Sequence, residues 1–155
     1  MEMTGDHTVL ENEILLARQR VYRAAAPTPL ERLEWDGPGE VFVKREDLSP
    51  IKAYKWRGSF NRMALIAGED RRLPVVAASA GNHAQGVALA ARILGLKARI
   101  FMPTTTPEVK RSAVREKGGD SVEIFLVGDG YDDALAAAKE SVCEGGIFVH
   151  AYDDL

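Results

Sequence analysis

The chain has 155 residues, enough for one domain with a real core or for part of a larger protein. A formal net charge of −3 argues against nucleic acid or an anionic membrane surface as partner. The single cysteine, Cys143, excludes an internal disulfide framework and a zinc site of several thiolates.

No apolar run reaches the roughly eighteen residues of a transmembrane helix, so no membrane partner is expected. The first ten residues are polar and acidic, unlike a signal peptide, and a reducing cytoplasm is the expected compartment. Leu10, Ile14, Ala17 and Val21 recur with helical spacing, and Pro27 and Pro29 predict that this helix stops near Ala26. Thr28-Pro29-Leu30 reads as extended, residues 36–39 as a turn and residues 40–45 as a short strand. From Lys55 to Ala67, helical spacing returns through Phe60, Met63, Ala64 and Ala67. Lys55 is therefore expected at a helix N-terminus, reached from a loop that Pro50 keeps irregular.

Beyond Leu73 the pattern becomes regular. Strands are predicted at 74–78, 98–102, 122–127 and 147–149, and helices at 82–94, 107–117 and 131–144. Glycines close each helix, at Gly95, Gly118-Gly119 and Gly145-Gly146. Thr106-Pro107 reads as an N-cap followed by proline at the first helical position. Cys143 falls in a helical stretch, where a small buried apolar role is expected. Alternating strands and helices at this spacing predict right-handed crossovers and an open parallel sheet, an α/β fold of three αβα layers.

Several common sites are absent. Gly128-Asp129-Gly130 lacks the third glycine of a dinucleotide fingerprint. Gly81 and Gly86 have phosphate-loop spacing, but Val87 stands where a lysine is needed. His7, His83 and His150 are scattered without a metal-ligand motif, so no metal is expected. What remains is the turn Ser79-Ala80-Gly81-Asn82-His83, at the carboxyl end of a parallel strand and the start of a helix. Backbone N–H groups there favour a carboxylate or phosphate, although an ordinary turn capped by Asn82 fits the same residues. Lys55 likewise has two readings, a solvated charge or an amine activated by Tyr54, Trp56 and a helix N-terminus. Lys44, Lys52 and Arg57 read as surface or supporting charges.

Ala53-Tyr54-Lys55-Trp56-Arg57-Gly58 resembles the Ser-Phe-Lys-x-Arg-Gly motif of fold-type II pyridoxal-phosphate enzymes, and Ser79 to Gly86 resembles the threonine dehydratase signature. Lys44-Arg45-Glu46-Asp47-Leu48, Thr28-Pro29-Leu30 and Met102-Pro103 with Lys110 match in order. The resemblance runs from about Val21 to Asp154 and implies the tryptophan synthase β-like fold. Residues 1–60 are then part of a large domain, residues 61–150 a small α/β domain, and residues 151–155 the return to the large domain.

The resemblance implies that Lys55 carries pyridoxal 5′-phosphate as a Schiff base and removes the substrate Cα proton. Tyr54 takes the place of its aromatic neighbour, and Asn82 hydrogen-bonds the cofactor's phenolic oxygen. Ser79, Ala80, Gly81, Asn82 and His83 hold the substrate carboxylate through backbone N–H groups. The implied reaction is β-elimination of threonine, and also serine. From threonine it gives 2-oxobutanoate and ammonia, the first step of isoleucine biosynthesis. Ala80 replaces the second serine of related serine racemases, which favours elimination over racemisation. The family's phosphate cradle is expected after Leu155, so the isolated chain is expected to bind the cofactor poorly and to be essentially inactive. A homo-oligomer is implied for the full-length protein. The alternatives are a serine or 3-hydroxyaspartate dehydratase and a non-catalytic truncated module.

Overall fold

The computed structural model describes residues 5–69 and 72–152. Helix α1 (Gly5–Ala24) is followed by an antiparallel pair, β1 (Leu30–Leu33) and β2 (Val41–Lys44), in which Leu30 lies opposite Lys44. Helix α2 (Lys55–Glu69) leads into the main sheet. Its elements are β3 (Val75–Ala78), α3 (Asn82–Leu94), β4 (Ala98–Met102), α4 (Glu108–Gly118), β5 (Val122–Leu126), α5 (Tyr131–Cys143) and β6 (Ile147–Phe148). The strands run parallel in the order β5-β4-β3-β6. Among the described residues, no helix is long and apolar enough to cross a membrane.

The three layers follow from the two-residue period of the strands. Val75, Ala77, Ala98, Ile100 and Met102 point into a core shared with α2, α3 and Val114 of α4. Val76, Ala78 and Phe101 point the other way, onto Ala134 and Ala138 of α5. Because both faces are covered, β3 is a continuous buried run, Val-Val-Ala-Ala.

Small residues set how closely the helices pack. A Cβ on Gly86 in α3 would lie 2.6 Å from the Ser59 hydroxyl oxygen and 2.9 Å from the Ser59 Cβ, so α3 runs almost against α2 there. Gly95 ends α3 with φ 69°, a left-handed C-cap that glycine adopts without cost. Gly68 in α2 is different, because among the described residues nothing lies within 4 Å of its added Cβ. Gly68→Ala is therefore expected to raise stability by about 0.5 kcal/mol in urea denaturation, through helix propensity alone.

Three sequence expectations need correction. Strand β1 was expected only as an extended Thr28-Pro29-Leu30, because three of its four residues are exposed and carry no alternating pattern. Pro107 stands outside α4 as its N-cap, with ψ 143°, and its carbonyl accepts from the Arg111 N–H at 3.3 Å. Thr106 is not the cap; its hydroxyl is buried without a hydrogen-bond partner. Cys143 is exposed, because α5 buries Ala134, Ala138 and Ser141 and turns position 143 to solvent. His7 lies where side chains are outside the described residues.

Candidate active site

Lys55 is the first residue of α2. The loop before it is closed by Ser49, whose hydroxyl accepts from the Ala53 N–H and donates to the Ala53 carbonyl, both at 2.9 Å. Ile51 and Trp56 are buried on either side and pin the loop to the core. Lys52 takes the turn in a left-handed conformation, φ 56°, and is exposed. Lys55 itself is half-buried, so its amine is delivered to a cleft by a loop fixed at both ends.

A polar brace supports this start of α2. Arg57 donates to the Glu46 carboxylate and, at 3.2 Å, to the Thr28 hydroxyl, which donates to Glu46 at 2.8 Å. Lys44 donates to the Thr28 carbonyl. Lys44 and Arg57 are thus supporting charges with named partners. Glu46→Ala removes the shared acceptor and leaves a partly buried guanidinium and hydroxyl without it. A loss of about 1–2 kcal/mol is expected in urea denaturation, with Arg57 solvation offsetting part of it.

Opposite Lys55 lies the turn after β3. Ser79 extends the ladder with an N–H donated to the Phe101 carbonyl at 3.1 Å. Its hydroxyl accepts from the Gly81 N–H at 3.2 Å, which tightens the turn. Gly81 is the N-cap of α3, and the first helical bond runs from the Gln85 N–H to the Gly81 carbonyl. Asn82 is therefore the first helical residue, exposed, and not the cap that the ordinary-turn reading requires. The N–H groups of Asn82 and Ala84 start the helix without intrahelical acceptors, at its positive end. His83 turns its side chain inward, 6% exposed, while its backbone stays in the turn.

The two halves meet in one cleft of about 350 Å³, lined by Tyr54, Lys55, Ser79, Ala80, Gly81, Asn82 and His83. The Lys55 amine donates to the Ala151 carbonyl at 2.6 Å and lies 4.8 Å from the centre of the Tyr152 ring and 5.6 Å from that of Tyr54. Both aromatic rings attract the ammonium. A second cleft, about 410 Å³, opens on the far side of Lys55 beside Glu13, Asn61 and Arg62.

Lys110, Tyr131 and Tyr152 also line the first cleft and carried no site role in the sequence reading. Tyr131 opens α5 just after β5, the same topological position that Asn82 has after β3, and that position was the available signal. Its loop is held by Asp133, whose carboxylate accepts from the N–H groups of Asp129 at 2.9 Å and Gly130 at 3.1 Å. Burial, and then Tyr152 and Asp132, push the Tyr131 phenol above its ordinary range, so it stays a donor at neutral pH.

Residues 21–155 match the family described as pyridoxal-phosphate dependent enzyme. The chain belongs to this family. It is 46% identical over 139 residues to a biosynthetic L-threonine dehydratase of Burkholderia multivorans, covering 87% of this chain and 27% of the relative. With the Corynebacterium glutamicum enzyme of the same name it shares 41% over 140 residues, 88% of this chain and 32% of the relative. Among solved structures, the processed form of threonine deaminase isoform 2 from Solanum lycopersicum aligns with TM-score 0.84 and 38% identity, over 97% of this chain and 42% of that one. A second solved threonine deaminase aligns with TM-score 0.78 and 29% identity, over 92% of this chain and 45% of that one. The chain thus spans about a third or less of the length of these curated relatives. Its parallel sheet is the three-layer α/β part of a fold-type II pyridoxal-phosphate enzyme.

Proposed function

We propose that Lys55 is the cofactor-bearing lysine of a β-eliminating ammonia-lyase that acts on threonine. The observation that carries this reading is the cleft itself, where the Lys55 amine faces a helix N-terminus across a space sized for a small ligand. The donor set there fits pyridoxal 5′-phosphate. The amine of Lys55 suits an aldehyde, and the exposed Asn82 amide suits a phenolic oxygen. When bound, the cofactor supplies an electron sink for a carbanion at the substrate Cα.

The chain's own residues then have separate tasks. Lys55 would hold the cofactor through its Nζ and would take the substrate Cα proton on the same atom. Backbone N–H groups of the turn from Ser79 to His83 bind and orient the substrate carboxylate. Tyr54 and Tyr152 flank the amine with their rings. Ala80 carries no hydroxyl at the position where related serine racemases have their second serine, which favours loss of the β-hydroxyl over racemisation. Threonine then gives 2-oxobutanoate and ammonia, the water lost in elimination being taken up again on hydrolysis.

In the same reading, residues 1–60 belong to the large cofactor domain, residues 61–150 to the small domain, and the chain turns back from residue 151. The separate β1–β2 sheet before α2 supports that division. A cytoplasmic homo-oligomer completes the proposal. Lys110, an ammonium in the same cleft, favours the alternative of 3-hydroxyaspartate with its second carboxylate.

The test is a 2-oxo acid and ammonia assay of the full-length protein with pyridoxal phosphate, on threonine, serine and 3-hydroxyaspartate. The highest kcat/KM is expected on threonine, with one ammonia per 2-oxobutanoate. A preference for 3-hydroxyaspartate selects the alternative, and no turnover of any of the three contradicts the enzymatic reading.

A further inference from the structure

His83 is buried on the protein side of the turn, and its ring reaches two other elements. Its Nε2 lies 3.1 Å from the Val149 carbonyl, just past β6, and its Nδ1 lies 3.3 Å from the Ser59 hydroxyl on α2. A carbonyl only accepts, so Nε2 carries the proton and, in the neutral ring, Nδ1 accepts from the Ser59 hydroxyl. Ser59 is 3% exposed and Val149 1%, so these contacts are shielded from water.

The three tethered points surround Lys55. Ser59 is one helical turn after Lys55 on α2. Val149 is two residues before Ala151, whose carbonyl takes the Lys55 amine. His83 adjoins Asn82 in the first turn of α3. One turn further along α3, Gly86 abuts Ser59 so closely that no Cβ fits. The imidazole therefore links the carboxylate-binding turn to the lysine helix and to the chain that caps the lysine. An apolar side chain of similar volume could fill the space, but it would leave a buried carbonyl and hydroxyl without this partner.

We propose that His83 is a positioning residue for the reaction: its ring fixes the separation between the Ser79–Asn82 turn and the Lys55 amine. The role belongs to the side chain and is separate from the backbone N–H of His83 in the turn. It rests on the reading of Lys55 given above.

The test uses His83→Leu, His83→Gln and Ser59→Ala in the full-length protein loaded with pyridoxal phosphate. Threonine kinetics, the absorbance of the lysine-bound cofactor and the melting temperature are measured together. His83→Leu is expected to raise KM about tenfold with a smaller change in kcat, as displacement of a binding turn does, and to retain the cofactor absorbance. His83→Gln keeps an oxygen and an N–H in a similar relation to the two ring nitrogens and is expected to stay within about threefold of the unsubstituted KM. Ser59→Ala removes only a hydroxyl and is expected to raise KM about threefold, which carries the test if His83→Leu does not fold. Unchanged KM in Ser59→Ala and His83→Leu overturns the role. So does an equal defect in His83→Gln and His83→Leu that merely follows the melting temperature. No lysine-bound absorbance in the unsubstituted protein overturns the functional reading instead.

Discussion

Replacing Lys55 by alanine in the full-length protein is expected to lower threonine turnover by about 10⁴-fold, because in the proposed reaction one side chain is both attachment point and proton acceptor. The fold should be nearly unaffected. Lys55 is only half-buried, and its side chain is held by one hydrogen bond to the Ala151 carbonyl and by the two tyrosine rings. Arginine retains the positive charge but cannot form an imine, so Lys55→Arg is expected to be as inactive as alanine. Steady-state kinetics beside circular dichroism separate loss of chemistry from loss of structure. Activity within tenfold of the unsubstituted protein would remove Lys55 from the mechanism.

The second large effect is on packing. Gly86→Ala forces a methyl group to 2.6 Å from the Ser59 hydroxyl oxygen and 2.9 Å from its Cβ, inside the α2–α3 contact. The Ser59 Cβ is fixed to the helix backbone, so a rotamer change relieves only the hydroxyl. The helices must part. A loss of about 2–3 kcal/mol is expected, or roughly 4–12 °C in melting temperature for a chain of this size. The same displacement moves the first turn of α3 relative to Lys55, so KM for threonine should rise as well. Gly68→Ala, with open space around it, should change stability in the opposite direction. Ser59→Gly in the Gly86→Ala background removes the obstructing Cβ and should recover part of the loss. A Gly86→Ala protein as stable as the parent would show that the close approach does not constrain the pair.

Much of the α/β unit was legible in the sequence because its signals are local. The Val-Val-Ala-Ala strand is apolar throughout since both its faces are covered, and α3 and β4 have the boundaries read from their patterns. What escaped is what depends on distant partners. Strand β1 exists through its pairing with β2, and its own residues are mostly exposed. Pro107 fits a helix start at either of two adjacent positions, and only the carbonyl hydrogen bond decides between them.

The site divides in the same way. Lys55 and the turn after β3 each stood out locally, and each had a bland alternative. The fold overturns one part of these, the Asn82 cap, because Gly81 takes that position and Asn82 is left exposed in the cleft. The Ser59–His83 contact spans 24 residues, and the His83–Val149 contact spans 66. No spacing rule could reveal either. Tyr131 escaped for a simpler reason, since an aromatic residue opening a helix looks like core until the fold brings it to the cleft that Lys55 lines.

The central claim is that Lys55, among the lysines of this chain, bears the cofactor. Borohydride reduction of the full-length protein loaded with pyridoxal phosphate, followed by digestion and mass mapping, tests it directly. A single phosphopyridoxyl adduct is predicted on the peptide containing Lys55, and it should be absent from Lys55→Ala. An adduct confined to Lys44, Lys52 or Lys110, or no adduct in the active protein, would contradict the account.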